Sequence, residues 1–588
     1  MWTSRCFTPA PIQVIFGLRS RSSEPVGDAA RAGKQIQGKT MTTVLKAKLL
    51  TGIFLVAIAI AAPAQTVSTI YEFSNGTNPN LPAGVMAQGQ DGDFYGITLS
   101  GGGPANQGAF YKISSEGVLT SLYSMAQSDG TTCKGLTLGT DGNFYGTCQN
   151  GGANDYGTLF KVTSAGVLTV LHNFAAQGST NDGCIPYAPP IQASNGDFYG
   201  TTAFCGANNY GTVYKLTLAG AYTMLYSFQG PPNDTVLPFG LIEGTNGDLW
   251  GVGNGWIISG GGVFKITLAG KESLVYTFEP NADGAFLDGE NPNANLIQGS
   301  NGDFYGTTEG GGSANEGTIF QITAAGKETV LYSFPNQTDG AYPTLPLTQG
   351  PDGLLFGAAT DCAGGGCSQA GLFDITTKGV YKNLYLYPLV CSNCGQPEAP
   401  LLLSTNGTFY STTEQGGTGD GSFYSLNNGY SPFISLVNVT SGAEGAQVGI
   451  LGQGFTSKSV VEFGGTKATT TKLTGSTYIL ATVPTGALTG DVTVTTGSTV
   501  LSTTASYKIT PTYKSFTPPS GPVGTVVTFN GTGLTQTTKV TIDKISAEFT
   551  VVSDSEITAT VPAGAATGKI VVTTKGGSAT SSSSFTVN

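Results

Sequence analysis

Two glutamates stand at matching places in this chain. Glu309 follows Tyr-Gly-Thr-Thr and Glu414 follows Tyr-Ser-Thr-Thr. With Asp361 they could line one face of a fold, and paired carboxylates can cleave a glycosidic bond. The competing reading is a set of solvated loop carboxylates, because related segments carry Leu99, Gln149, Ala203 or Gly253 nearby. The chain has a single histidine, His172. It replaces a tyrosine in Leu-His-Asn-Phe, where other segments read Leu-Tyr-Ser-Phe, so a structural aromatic role is predicted rather than a catalytic base. One histidine gives no basis for a Ser-His-Asp triad and rules out zinc sites that use histidine. Cys391-x-x-Cys394 lacks a second metal-spaced pair. A recurrent Asp-Gly-Asp suggests calcium, but a tight turn explains it equally well. No metal and no cofactor is predicted, and the catalytic candidates are Glu309, Glu414 and Asp361 alone.

The elements that carry these residues are repeated. An anchor occurs seven times: DGDFYG (91–96), DGNFYG (141–146), NGDFYG (195–200), NGDLWG (246–251), NGDFYG (301–306), DGLLFG (352–357) and NGTFYS (406–411). Successive first glycines are 50, 54, 51, 55, 51 and 54 residues apart. A period of this size signals one supersecondary unit repeated. Each anchor is followed by a second run, such as GTVYKLT (211–217). In six units a third follows, such as Leu331-Tyr332-Ser333-Phe334, and a short apolar run precedes every anchor. All are aromatic or β-branched and punctuated by glycine, which predicts strands. The Asp-Gly or Asn-Gly between the first two is a hairpin turn.

Four strands per unit and seven units predict an all-β fold with a seven-bladed β-propeller over residues 65–430. A linear solenoid is the competing architecture. The segment VSTIYEF (67–73) matches the third run but precedes the first anchor, and the seventh unit lacks that run. The N-terminal strand is therefore expected to complete the last blade, leaving no open sheet edge. The Gly/Asn-rich loops after Tyr-Gly-Thr and the loops entering each blade would emerge on one face. Their amides and aromatics suit sugar hydroxyls and ring faces, though Gly and Asn also simply make turns.

From Ser431 the chain becomes rich in Thr, Val and Gly. NVTSGAEGAQVGILGQGF (438–455) aligns with TPPSGPVGTVVTFNGTGL (517–534), and YILATVPTGALTGDVTVTT (478–496) with EITATVPAGAATGKIVVTT (556–574). Two immunoglobulin-like β-sandwich domains are predicted, 431–510 and 511–588, acting as spacers.

Residues 41–64 read MTTVLKAKLLTGIFLVAIAIAAPA, with Lys46 and Lys48 before an apolar run and Ala62-Pro63-Ala64 at its end. This predicts a secretory signal peptide cleaved before Gln65, with no membrane span in the mature chain. All four arginines lie in residues 1–40. Translation is expected to start at Met41, residues 1–40 being a mis-assigned or disordered extension; a long basic targeting segment is the rival. Removing the eight basic and two acidic residues of 1–64 leaves 35 acidic against 18 basic, a net charge of −17. Such an acidic, Arg-free chain is poorly suited to nucleic acid. Eight cysteines remain, an even number that makes disulfides plausible in an exported protein. Cys133/Cys148 and Cys184/Cys205 flank successive anchors. Cys362, Cys367, Cys391 and Cys394 lie in loops expected on one face, with connectivity open.

The opening SG-x-x-G-x-x-V with G-x-G-F/L, and the A-T-V-P close, resemble IPT/TIG domains. YGTT, G-T-x-F-K-I-T and L-Y-S-F resemble the GloVer tandem repeat of bacterial choice-of-anchor surface proteins, over about residues 67–428. That resemblance implies export and a propeller-like fold, and no reaction. The expected role is non-catalytic binding or adhesion, with an extracellular polysaccharide or a surface protein as partner. A carbohydrate-active enzyme (glycoside hydrolase or lyase) and an architectural envelope component are the alternatives.

Overall fold

Alternating aromatic and β-branched residues between glycine turns leave the chain little choice but strands, and strands are what form. The computed structural model describes residues 65–588 except 75–78, 177, 232–234, 256–259, 336–339, 360–369, 388–396, 415–419 and 438–439. Asp361, Cys362, Cys367, Cys391, Cys394 and the predicted leader lie outside the described residues. Among these there is no α-helix, and one 3-10 turn spans Gln127–Asp129.

The third repeat shows the unit. Ile191–Gln192, Phe198–Thr202, Thr212–Leu216 and Tyr222–Ser227 pair antiparallel in chain order. The anchor's Asn-Gly or Asp-Gly forms the turn between the first two strands. Gly196 there has φ +86, a conformation glycine adopts without strain. The anchor's first residue also ties down its tyrosine. Tyr95 donates to Asp91 Oδ2 at 2.8 Å, and Asn301 Nδ2 donates to the Tyr305 hydroxyl at 2.8 Å. Asp and Asn both serve because the hydroxyl can donate or accept, which explains why the two alternate at this position.

Besides a two-strand ribbon, residues 66–427 form five four-stranded sheets and one of eight strands among the described residues. The eight-stranded sheet is two four-stranded units joined where Val85 pairs in parallel with Gly135. A Cβ at Gly135 would stand 2.3 Å from the Val85 nitrogen, so only glycine allows this approach. The same β-bulge recurs between the third and fourth strands, for example at Val213/Tyr214 and Ile319/Phe320. Bulges add local twist.

The strand Thr66–Glu72 pairs with Ser422–Asn427 of the last repeat and supplies its fourth strand. It carries the same bulge, between Thr69 and Tyr71. Its Tyr71 meets Phe73 edge-on at 5.2 Å, as Tyr226 meets Phe228 and Tyr332 meets Phe334. Consecutive sheets share apolar clusters. Trp250, Phe278, Phe304 and Phe320 join the fourth to the fifth. Phe73, Phe94, Tyr111, Tyr410 and Phe423 join the seventh to the first.

Beyond the repeats, two pairs of sheets each enclose a core. Val448, Ile450, Val461, Phe463, Ile479, Val492 and Val494 fill the first, and Val527, Phe529, Val540, Ile557, Ile570, Val572 and Phe585 the second.

Candidate functional site

The first strand of a repeat runs from two residues, as in Ile191–Gln192, to nine, as in Asn80–Gln88, and its leading part lies beside a loop rich in Pro and Gly. Residues seven to nine places before the anchor's first glycine line a cavity of about 470 Å³. Every repeat contributes: Gly84, Lys134, Tyr187, Phe239, Asn293, Leu345 and Glu398 are examples. A second tier comes from the end of the anchor strand, seven places after that glycine. It supplies Leu99, Gln149, Glu309 and Glu414.

The two sequence-predicted glutamates thus line one cavity. Glu309 comes from the fifth repeat and accepts a hydrogen bond from Asn293 Nδ2. Asn293 is itself held by Asn254, whose Nδ2 donates to Asn293 Oδ1 at 2.8 Å. Burial pushes the Glu309 carboxyl above its ordinary range, and the Asn293 bond partly offsets this.

Glu414 meets two residues that motif reading missed, Glu398 and Lys134. Burial holds the Glu398 carboxyl well above the usual carboxylate range. The charge of Glu414 and a carboxyl–carboxyl hydrogen bond to it raise Glu398 further, while Lys134 opposes. Burial lowers the Lys134 ammonium, and the charges of Glu398 and Glu414 pull it back up.

Tyr187 and Phe239 supply the aromatic part of the wall. Their rings lie 5.2 Å apart at an interplanar angle of 19°. Such a slab, beside amides and carboxyls, can take the C–H face of a polyhydroxylated ring while its hydroxyls reach polar groups. The sequence signal for these residues was their place seven to nine positions before the anchor glycine.

His172 does not line the cavity. It lies on an outer strand, Leu168–Asn173. Its Nε2 is 2.8 Å from Asp182 Oδ2, and its ring stacks on Tyr222 at 3.7 Å and 6°. Tyr123 and Tyr276 bond Asp129 and Asp288 in the same manner. Among the described residues no cluster of three or more His, Cys, Asp or Glu could hold a metal ion. Cys133 lies opposite Cys148 and is disulfide-bonded to it; Cys184 is bonded to Cys205.

The anchor turns lie at the other ends of the same first and second strands. The first C-terminal sandwich touches several of them, which the spacer expectation did not anticipate. Thr477 Oγ1 donates to the Gln90 carbonyl at 2.6 Å, and Gln453 Nε2 to Thr405 Oγ1 at 3.0 Å. Lys508 Nζ reaches the Thr245 carbonyl at 3.0 Å. These contacts fall on the first, seventh and fourth repeats, so the sandwich lies across the turn face. Among the described residues no helix is long and apolar enough to cross a membrane.

A family model described as the Gloeobacter/Verrucomicrobia repeat matches residues 56–257 and 237–424, and an IPT/TIG domain model matches 511–587. No curated protein matches the chain. Among solved structures, a putative gluconolactonase is 12% identical, with 63% of this chain and 94% of that one covered at a TM-score of 0.34. A fungal alcohol oxidase in complex with copper is 12% identical, with 88% and 100% covered at 0.40. A surface glycan-binding protein from Prevotella bryantii is 19% identical, with 26% and 41% covered at 0.21. At these scores none of the three bears on function.

Proposed function

The chain belongs to the Gloeobacter/Verrucomicrobia repeat family, and from that starting point we propose that it is an exported, non-catalytic glycan-binding protein. Its repeats, 65–430, form a seven-bladed β-propeller. Four-stranded units packed in succession, and the pairing of Thr66–Glu72 with the last repeat, support this. Residues 431–510 form a second IPT/TIG domain beside the matched one, consistent with its two-sheet core. Export through a signal peptide at 41–64, with translation starting at Met41, agrees with the two disulfides.

The observation that carries the binding role is the Tyr187–Phe239 slab in a cavity whose wall also holds amides and carboxyls among aliphatic and proline residues. Its volume falls within the range of about 300–1,000 Å³ common for small-ligand sites. The touching Glu398–Glu414 pair is unsuited to glycoside cleavage, because glycosidase carboxyls stand about 5 to 9.5 Å apart so that substrate or water fits between them. The enzyme reading retains one supporting observation, that Glu309 and Glu414 share the cavity wall.

The test incubates the mature full chain with immobilised polysaccharides and measures both retention and release of new reducing ends. Retention without release is expected. Release that disappears in Glu309→Gln/Glu414→Gln would establish the enzyme reading instead.

A further inference from the structure

We propose that the cavity selects uncharged sugar units and turns away acidic ones such as uronates. The inference rests on the glycan-binding role above and adds the ligand's charge class.

The wall carries three carboxyls, Glu309, Glu398 and Glu414, against one ammonium, Lys134. That ammonium is already matched, since it interacts with both Glu398 and Glu414. Among the described residues no second cation lines the wall to receive an acidic sugar. A uronate would therefore bring another negative charge beside a wall on which carboxyls outnumber the ammonium three to one. At a separation of about 5 Å such repulsion weakens binding by tenfold or more.

These charged groups line a cavity and not a flat surface, and charges in a partly enclosed space are screened less than those on an open surface. An uncharged sugar meets none of this penalty. Its C–H face lies on the Tyr187–Phe239 slab. Its hydroxyls find acceptors in the carboxyl oxygens and a donor in the Gln149 amide.

The experiment measures binding of the mature full chain to neutral oligosaccharides and to the same chains bearing one uronate, at pH 7 and 150 mM salt. The uronate forms should bind at least tenfold more weakly. In Glu398→Gln/Glu414→Gln, or in the milder Glu309→Gln if the double variant fails to fold, the gap should narrow at least threefold. Acidic chains that bind as tightly as neutral ones, or a gap untouched in a folded variant, would overturn the charge selection while leaving the binding role intact. Binding of neither kind would overturn the binding role itself, and the selection with it.

Discussion

Val67, in the first described strand, lies directly opposite Leu426, in the last strand of the repeats. The chain reaches back across its whole repeated region to make this pair. Gln65 adds a hydrogen bond to Asn428 Oδ1 at 2.5 Å. Deleting residues 65–73 removes the strand and the fully buried Phe73. It exposes the edge Ser422–Asn427 and opens the cluster between the seventh and first sheets. Calorimetry should show the main transition lowered by 10 °C or more. A shift of only a degree or two would mean that the join contributes little.

Asp182 should make a pH-dependent contribution to stability. Burial raises its carboxyl pKa, but bonds from His172, Tyr222 and the Gly183 N–H outweigh this and hold it below the ordinary range. A carboxylate depressed on folding stabilises the protein above its unfolded value, about 3.9, and loses that contribution as pH falls through the folded value. The melting gap between wild type and Asp182→Ala should therefore shrink between pH 6 and pH 3. His172→Tyr restores the bond that Tyr123 and Tyr276 make elsewhere, and should melt within about 2 °C of wild type. A large loss in that variant would show that the imidazole does more than fill the tyrosine slot.

How much of this was legible in the sequence depends on how much of a repeat carries a pattern. Anchor, second and third runs have aromatic alternation and fixed turns, so their strands were evident, and so were Glu309 and Glu414 just beyond them. The first strands are as short as Ile191–Gln192 and Leu402–Leu403. Runs of such uneven length share no period, so Lys134, Phe239 and Glu398 stayed unmarked, while Tyr187 was legible only as one of the aromatics in the loops entering the repeats. The docking of the first sandwich was equally silent. It is made by Thr477, Gln453 and Lys508, polar side chains that look like ordinary surface until the turns they meet are in place.

The junction between the two sandwiches holds a second carboxyl pair. Burial, and a bond to Asp554, push Glu444 up to about 7, with the Gly486 N–H opposing. A carboxyl raised on folding favours the protonated protein. Its stabilising contribution is present below the unfolded value, about 4.3, and is lost as pH rises through about 7. The sandwiches should melt at lower temperature at pH 8 than at pH 5. Glu444→Gln should reduce that difference, as followed by near-UV circular dichroism. An unchanged pH dependence in this variant would mean that the proton is not held there.

The central claim is that a glycan occupies the cavity against the Tyr187–Phe239 slab. Isothermal titration of the mature full chain with a glycan retained in the polysaccharide screen tests it most directly, with Tyr187→Ala/Phe239→Ala titrated alongside. The account predicts a Kd at least tenfold weaker in the double variant, about 1.4 kcal/mol, with the melting temperature within a few degrees of wild type. An unchanged Kd in a folded double variant would contradict it and place the glycan elsewhere on the protein.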